Sequence, residues 1–364
     1  MLKFIKSQPV LVIAFIAALI TVFVVPPDAD YAGYINRTVL IQLFGLMAAV
    51  AGLRSAGVFG RITDIMLRKA GTVRRLAVVF TLLNFFSSML VTNDVALITF
   101  VPLTILVFSG IKDEKSRILT IVLETAAANM GSMLTPVGNP QNLFLYDTYK
   151  LTPLTFLKTM LPSGILSLVL LLAITLLLPD KDCPGAEQSG GSIDKVKLGG
   201  FAGLFLMCLL TVLRVVPDLV CLGAAVVICL IFDRKILAKV DYALLATFVC
   251  FFIFVGNIAR IEAVREFFSG ILSGRELVVS VLLSQVISNV PAAVMLSGFT
   301  DNGTALLLGV DIGGLGTIIA SLASLISFQF YRQSEGVQSG RYMLVFTEVS
   351  VGLLIPLLLL QVIM

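Results

Sequence analysis

Residues 76–110 read LAVVFTLLNFFSSMLV-TND-VALITFVPLTILVFSG, an apolar run interrupted once, by Thr92-Asn93-Asp94. Arg68, Lys69, Arg74 and Arg75 precede the run, and Lys112, Lys115 and Arg117 follow it. Basic residues in short loops mark the cytoplasmic side of a membrane, so both ends of the run belong to one face. A single spanning helix cannot begin and end on the same side. Two full spans would leave Thr92-Asn93-Asp94 as an outer loop of a few residues. A re-entrant hairpin with its tip near the bilayer midplane fits better, because polar non-helical backbone at that depth survives only where it is buried or lines a cavity.

The rest of the chain supports a membrane setting. Of 364 residues, 58% are hydrophobic and 13% are charged, and the mean hydropathy is +1.03. A spanning helix needs ~20 mostly apolar residues. Residues 10–25, 38–53, 161–178, 199–216, 219–232, 242–256 and 342–364 approach or meet that length. The expected fold is an all-α polytopic membrane protein with about nine spanning helices and two re-entrant hairpins, arranged as two inverted-topology repeats with discontinuous helices. Strand-type alternation is absent, which argues against a β-barrel. The net charge of +4 reads as topology, not as nucleic-acid binding. The five cysteines, Cys183, Cys208, Cys221, Cys229 and Cys250, show no CxxC pairing, and histidine is absent.

Lys3 and Lys6 place the N-terminus inside, ahead of a first helix that is retained and not cleaved. Alternating the faces from there puts the C-terminus outside a multi-pass cell membrane protein, of the bacterial inner-membrane kind. Val58, Ile62, Ile65, Met66 and Lys69 have the spacing of an amphipathic helix in the interface. The expected division is 1–37, first helix and outer loop; 38–160, repeat 1, with hairpin tip 92–94 and broken helix 129–149; 161–241, linking scaffold helices with a flexible cytoplasmic loop 180–197; 242–331, repeat 2, with tip 288–291 and broken helix 304–331; and 332–364, a cytoplasmic loop and the last helix. Residues 257–275 read as amphipathic. The linking helices carry no polar constellation and serve as frame, and a homodimer interface there is left open.

Repeat 2 has the same parts in the same order, entered from the opposite face. Ser288-Asn289-Val290-Pro291 interrupts an apolar hairpin. After each hairpin comes a Gly- and Pro-rich break, residues 129–142 and 311–324. Aligned without a gap, Gly131 meets Gly313 and Thr135 meets Thr317, while Asn129 meets Asp311, Gly138 meets Ala320, Asn139 meets Ser321 and Asn142 meets Ser324. Pro136 and Pro140 remove backbone donors, and glycine permits the unwound angles. Unwinding bares N–H groups at one half-helix and C=O groups at the other, which suit anions and cations respectively. Paired broken helices in inverted halves point to a transporter's midplane site. Asn139, Gln141 and Asn142 beside Pro140 are therefore read as a binding constellation, with Ser321 and Ser324 as counterparts. Gly313, Gly314 and Ala323 also fit plain small-residue packing.

Thr92-Asn93-Asp94-Val95-Ala96-Leu97, Thr135-Pro136-Val137-Gly138-Asn139-Pro140-Gln141-Asn142-Leu143 and Ser288-Asn289-Val290-Pro291 resemble the ion-transporter superfamily. That group holds the ArsB-type arsenite permeases, NhaD-type sodium/proton antiporters and the citrate and divalent-anion symporters. The likeness is strongest to the bacterial citrate-transporter-like anion permeases, over residues 38–149 and 242–331. It implies a scaffold part and a transport part, with substrate between two Ser-Asn-Thr tips and sodium beside each. Carried over, Thr92, Asn93, Ser288 and Asn289 face substrate. Sodium would sit near Thr92-Asn93 with residues 135–139, including Thr135 and Gly138, and near Ser288-Asn289 with residues 317–321, including Thr317. The third tip residue departs from that pattern: it is Asp94 in one tip and Val290 in the other.

An unpaired charge at the bilayer centre costs at least ~2.5–3.5 kcal/mol, so intramembrane acids are functional candidates. Asp94, Asp311 and Glu124 qualify, Asp94 also being able to cap the helix that starts at Val95. Such acids argue for sodium or proton coupling. No Lys or Arg falls at a tip or break, and Arg54, Arg214 and Arg260 read as snorkelling to the interface. The expected function is secondary transport of a small carboxylate or oxyanion, the alternative an NhaD-like sodium/proton antiporter. No cofactor beyond a coupling Na+ is expected, and the partners are a small-molecule or ion substrate and the lipid bilayer. An enzyme is disfavoured by the lack of histidine for a nucleophile–base pair or metal cluster, and an ATP-driven pump by the lack of GxxxxGK[ST].

Overall fold

A computed structural model describes residues 8–61, 71–111, 113–182 and 192–364. Lys3, Lys6, Lys112, Cys183 with the rest of 183–191 in the 180–197 loop, and the Ile62, Ile65, Met66, Lys69 part of the interfacial-helix expectation lie outside the described residues.

The described chain is helical, with one isolated antiparallel bridge, Thr72 to Asp182. The helices are α1 (Pro9–Val24), α2 (Tyr31–Tyr34), α3 (Arg37–Ser55), α4 (Val73–Val91), α5 (Asn93–Ile111), α6 (Glu114–Ser132), α7 (Pro140–Thr148), α8 (Pro153–Thr175), α9 (Lys195–Val212), α10 (Asp218–Phe232), α11 (Tyr242–Ala259), α12 (Glu262–Leu272), α13 (Glu276–Ile287), α14 (Asn289–Ser297), α15 (Gly303–Ile312), α16 (Leu322–Arg332) and α17 (Ser339–Ile363). Polar residues start many of them: Asn36, Thr72, Asp113, Asn139, Thr152, Asp194, Asp241 and Asn302 each accept a backbone N–H of the turn they open.

By length and composition, seven helices are able to cross a membrane, eight if the bent pair α12–α13, which turns through 111°, is one span. Connectivity explains why that number differs from nine crossings. The two arms of hairpin 1 pass the length test without needing to cross, whereas α1, α7, α10, α15 and α16 are short and the 19-residue α6 carries Glu114, Lys115, Arg117 and Glu124. Bonds between loops sort the chain into two faces. On one, Val73 N donates to Lys181 O at 2.9 Å and Asp194 N to Ala56 O at 3.1 Å. Lys197 pairs with Asp233 at 2.8 Å, and Arg117 donates to Glu335 O at 2.7 Å. On the other, Asn36 donates to Asp147 at 2.8 Å, Thr38 to Asp218 at 3.0 Å and Tyr149 OH to Thr300 O at 2.8 Å. Arg260 meets Asp28 there at 2.7 Å, and that hydrogen bond holds the Asp28 carboxyl below its ordinary range. Among the described residues, nine helical passages run from one face to the other: α1, α3, α6–α7, α8, α9, α10, α11, α15–α16 and α17.

Neither hairpin crosses. The tip of hairpin 1 is bonded at the break, Asn93 N to Gly138 O at 3.1 Å. Beyond that level α7 still runs nine residues to the far face, about 14 Å at 1.5 Å per residue. The tip of hairpin 2 is held in the same way, Asn289 N to Ala320 O at 2.9 Å, with the eleven residues of α16 beyond it.

Several expectations needed correction. Residues 257–261 are not part of the amphipathic segment: α11 runs to Ala259, and Asn257 is buried, donating to Thr21 Oγ1 at 3.2 Å. The helix expected from 161 begins at Pro153, where Thr152 caps it and proline suits its first turn. Arg214 does not merely snorkel. At φ 62° it donates to Tyr146 O at 3.1 Å and stacks on the Tyr146 ring at 5.0 Å.

Candidate functional site

Each tip is a single residue in a left-handed conformation between two helices, Thr92 at φ 75° and Ser288 at φ 76°. Each next asparagine accepts from the N–H of the residue after it, Asp94 N to Asn93 Oδ1 at 2.9 Å and Val290 N to Asn289 Oδ1 at 3.0 Å. Each break threonine donates to the hairpin arm four residues on the N-terminal side of the tip asparagine: Thr135 to Met89 O, and Thr317 to Gln285 O at 3.0 Å. Counting back from the tips, 89 and 285 are equivalent positions. The ungapped alignment of the breaks therefore describes a structural repeat.

The two half-sites meet. Asn129, at the end of α6, accepts from Asn93 Nδ2 at 3.0 Å and from Ser321 Oγ of the other break at 3.0 Å. Its counterpart Asp311, at the end of α15, accepts on Oδ1 from Asn139 Nδ2 at 3.1 Å and from Gln141 at 3.2 Å. Asn129 pairs with Asp311 and Asn139 with Ser321 in the alignment, so these are one contact made twice, in opposite senses. Asn93, Asn129, Asn139, Gln141, Asn289, Asp311 and Ser321 are all at most 5% exposed.

The breaks keep their bare carbonyls in different hands. Asn142 donates Nδ2 to Ser132 O, Met133 O and Thr135 O at 3.3, 3.4 and 3.1 Å, so it braces the break from within. In repeat 2 the task falls to Gln285, on the hairpin arm. Its Nε2 reaches Gly313 O and Leu315 O, both at 2.9 Å, and its Oε1 accepts Thr317 N at 2.8 Å. Ser324, the counterpart of Asn142, is buried, and its hydroxyl bonds to no described residue. Glycine serves close approach here. A Cβ on Gly138 would lie 2.1 Å from Ser132 O, and one on Gly131 2.0 Å from Phe85 O.

A cavity of about 820 Å³ reaches the first half-site from the face that carries Ser55 and Lys239. Thr92, Asp94, Val137, Asn139 and Pro140 form its inner end, and Arg54, Lys239 and Asp241 line it as well. Arg54 is thus a cavity residue that donates to Ile98 O at 3.4 Å, not only an interfacial one. Ser288, Asn289, Ser321 and Ser324 do not line this cavity. A second cavity of about 410 Å³ opens on the opposite face beside Asn36, Asp147 and Ser297. Phe144, Phe248 and Phe252 stand between the two, with ring centroids 5.6–6.2 Å apart. Along α11, Leu244 lines the first cavity and Phe252 the second, with Phe248 one turn from each.

Glu124 lies about two turns before the break, against the arms of hairpin 1, and reaches neither cavity. Sequence reasoning passed over Asn129 and Gln285. Asn129 carried a signal, as the aligned partner of an intramembrane acid. Gln285 carried none, because its work depends on a turn formed thirty residues later.

Comparison with known proteins agrees with this architecture. Relatives include an uncharacterized transporter, MJ0456, of Methanocaldococcus jannaschii, 32% identical over 311 residues that make up 84% of each chain. The inner membrane protein YbiR of Escherichia coli is 32% identical over 80% of this chain and 78% of its own. The Alcanivorax borkumensis YdaH transporter, a solved structure of unusual topology, shares the fold at a TM-score of 0.59 over 91% of this chain and 86% of its own, with 14% identity. The citrate transporter family model matches residues 3–302, and the chain belongs to that family.

Proposed function

We propose that the protein is a secondary active transporter of a small anion, a carboxylate or oxyanion, coupled to sodium or protons. It works by alternating access around the two tips and breaks. The observation that carries this reading is the reciprocal contact of the half-sites, Asn129 with Ser321 and Asn139 with Asp311, of which Asn139 lines a cavity closed from the other face by Phe144, Phe248 and Phe252. The N-terminal ends of α7, α5 and α14 turn the positive end of a helix dipole toward an anion, and break carbonyls offer a cation the reverse. Arg54 and Lys239 on the cavity wall are matched by Asp94 and Asp241, so the wall itself admits either sign of ion. Na+ is the candidate ion beside each tip, held by Thr92-Asn93 with residues 135–139 and by Ser288-Asn289 with residues 317–321. The N-terminus and the basic face are cytoplasmic in this reading, so the cavity opens inward and the C-terminus lies outside.

One observation favours the antiporter alternative. Asp94 lines the cavity itself, where an acid would attract a cation. Uptake by proteoliposomes of a carboxylate and oxyanion panel, with and without sodium and pH gradients, separates the two. Anion movement supports the first reading; sodium-driven proton flux without anion movement supports the second. In either case Asn93→Ala and Asn289→Ala reduce transport by roughly 100-fold, as expected from ~1–3 kcal/mol for each buried group left unpaired, with expression retained. Full transport in both variants would remove the tips from the mechanism. Cysteines placed at Asp301 and Glu335 test orientation, the first labelling from outside only and the second from the cytoplasm only.

A further inference from the structure

The middle of hairpin 1 holds a buried carboxyl that neither the tips nor the breaks use. Glu124 has no exposed surface. Its Oε1 accepts from Asn84 Nδ2 at 3.0 Å and Thr104 Oγ1 at 2.8 Å, so one residue from each arm of the hairpin converges on one atom of the broken helix. Asn84 also donates through Nδ2 to Phe80 O at 3.0 Å. Glu124 Oε2 bonds to no described residue, and neither does Asn84 Oδ1.

An acid and an amide are therefore joined through Glu124 Oε1 and Asn84 Nδ2, while Glu124 Oε2 and Asn84 Oδ1 are without a donor. An ionised carboxylate and an amide oxygen only accept. Two buried acceptors of this kind lack one hydrogen between them. A proton on Oε2 would provide it, leaving Oε1 as the carbonyl that Asn84 and Thr104 already address. Among the described residues, the charged groups of the elements packed on α6 lie elsewhere. Arg74 of α4 pairs with Asp180 and Arg75 is exposed, Asp94 of α5 is at the tip, and Arg117 of α6 pairs with Glu114 while Lys115 is exposed. Lys158 of α8, Arg332 of α16 and Glu348 of α17 are exposed, Arg341 opens α17 on the basic face, and Asp311 of α15 is held by Asn139. Tyr331 of α16 donates to Glu114 at 2.5 Å, and the buried Tyr342 of α17 is within electrostatic reach of Glu124. No counter-cation meets the carboxyl, and an uncompensated charge in a membrane interior is expensive.

We propose that Glu124 and Asn84 hold one proton between them, making the middle of hairpin 1 a proton-binding site that ties both of its arms to the broken helix. This deepens the proton-coupled reading and rests on it only for the use made of the proton. Glutamine at 124 imitates the protonated acid, presenting a carbonyl to Asn84 and Thr104 and an N–H to Asn84 Oδ1.

Infrared spectra of the purified full chain, titrated across neutral pH in D2O, test the site without transport. A carboxylic-acid C=O band is expected that Glu124→Gln removes, that Thr104→Val displaces, and that Asp94→Asn and Asp311→Asn leave in place. Glu124→Gln keeps the wild-type melting temperature, and Glu124→Ala lowers it. A spectrum without that band, or a band that survives in Glu124→Gln, overturns the proposal. Should Glu124→Gln not fold, an undisplaced band in Thr104→Val overturns it. A chain that transports nothing yet shows the band loses the transport reading and keeps the site, and a transporting chain without the band does the opposite.

Discussion

Thr92 and Ser288 share one backbone conformation and one set of bonds to their breaks, yet the hairpins behind them differ in length, exposure and bracing. The arms of hairpin 1 are 19 residues each, and those of hairpin 2 are 12 and 9. The first tip continues into Asp94 on a water-accessible cavity, the second into Val290, which is buried. The first break is braced by its own Asn142, the second by Gln285 reaching across from the hairpin. The second break also exposes Thr317 and Ile319. Backbone geometry is thus what the two repeats preserve, and side-chain chemistry is what they vary. A site for two different ions, or for one ion and one substrate, needs that combination.

The largest expected difference concerns packing. Gly131 and Gly313 are equivalent, but an added Cβ meets the Phe85 carbonyl at 2.0 Å in the first case, and the Gly309 carbonyl at 2.8 Å and the Ser284 side chain at 2.9 Å in the second. The first overlap is too deep for α4 to relieve by a small shift, whereas the second falls only slightly short of ordinary contact. Gly131→Ala should destabilise by about 3 kcal/mol, the upper end of overpacking, and Gly313→Ala by about 1 kcal/mol. Thermal unfolding in detergent reads both. Equal losses would mean that α4 and α6 are not packed so closely.

Next come the braces. Asn142→Leu strips three carbonyls of their shared donor inside one element, costing about 2 kcal/mol of stability. Gln285→Leu costs less in stability, ~1 kcal/mol, because Thr317 still holds Gln285 O. It should nevertheless lower transport more than Asn142→Leu does, since it unties a hairpin from its break. Comparing melting temperature with uptake for the two variants checks the crossover. Parallel losses in both measurements would make the two amides interchangeable.

Much of this plan was legible beforehand. Hydropathy marked the long apolar helices, and Thr92-Asn93-Asp94 marked the first hairpin, because a polar triplet in lipid has few places to go. Gly and Pro spacing located both breaks and their pairing. What stayed hidden depended on which atoms face each other. Asn142 looked like a ligand, since three amides beside a proline read alike whether they point at substrate or at their own backbone. Gln285 sat in an ordinary apolar arm. Arg54 read as interfacial because sequence places it at a helix end but does not show that α3 and α5 leave a cavity beside it. The reciprocal link of Asn129 to Ser321 needed both repeats to be folded.

The smallest expected effect bears most directly on why the tips differ. Asp94 is partly exposed on the cavity wall, and the residue after Asn289 is Val290. The same wall carries Arg54 and Lys239, so the acid does not make the cavity uniformly negative. If Asp94 draws a coupling cation to the first tip, Asp94→Asn keeps the side-chain shape and the Asp94 N bond to Asn93, and removes only the charge. A partly solvated charge acts through a high effective dielectric, so the loss should be ~1 kcal/mol, or roughly fivefold in the apparent affinity for the coupling ion. Substrate affinity at saturating ion should hold. Val290→Asp supplies the reverse case: it introduces an acid with no cavity to solvate it, and should impair folding without creating a second ion dependence. Both measurements come from uptake against ion concentration, with melting temperature as the control. A weaker ion requirement in Asp94→Asn together with an unstable Val290→Asp would tie the asymmetry of the tips to the one-sided cavity. An unchanged ion dependence in Asp94→Asn would return Asp94 to the role of a first-turn acid on α5, favourable to the helix dipole and nothing more.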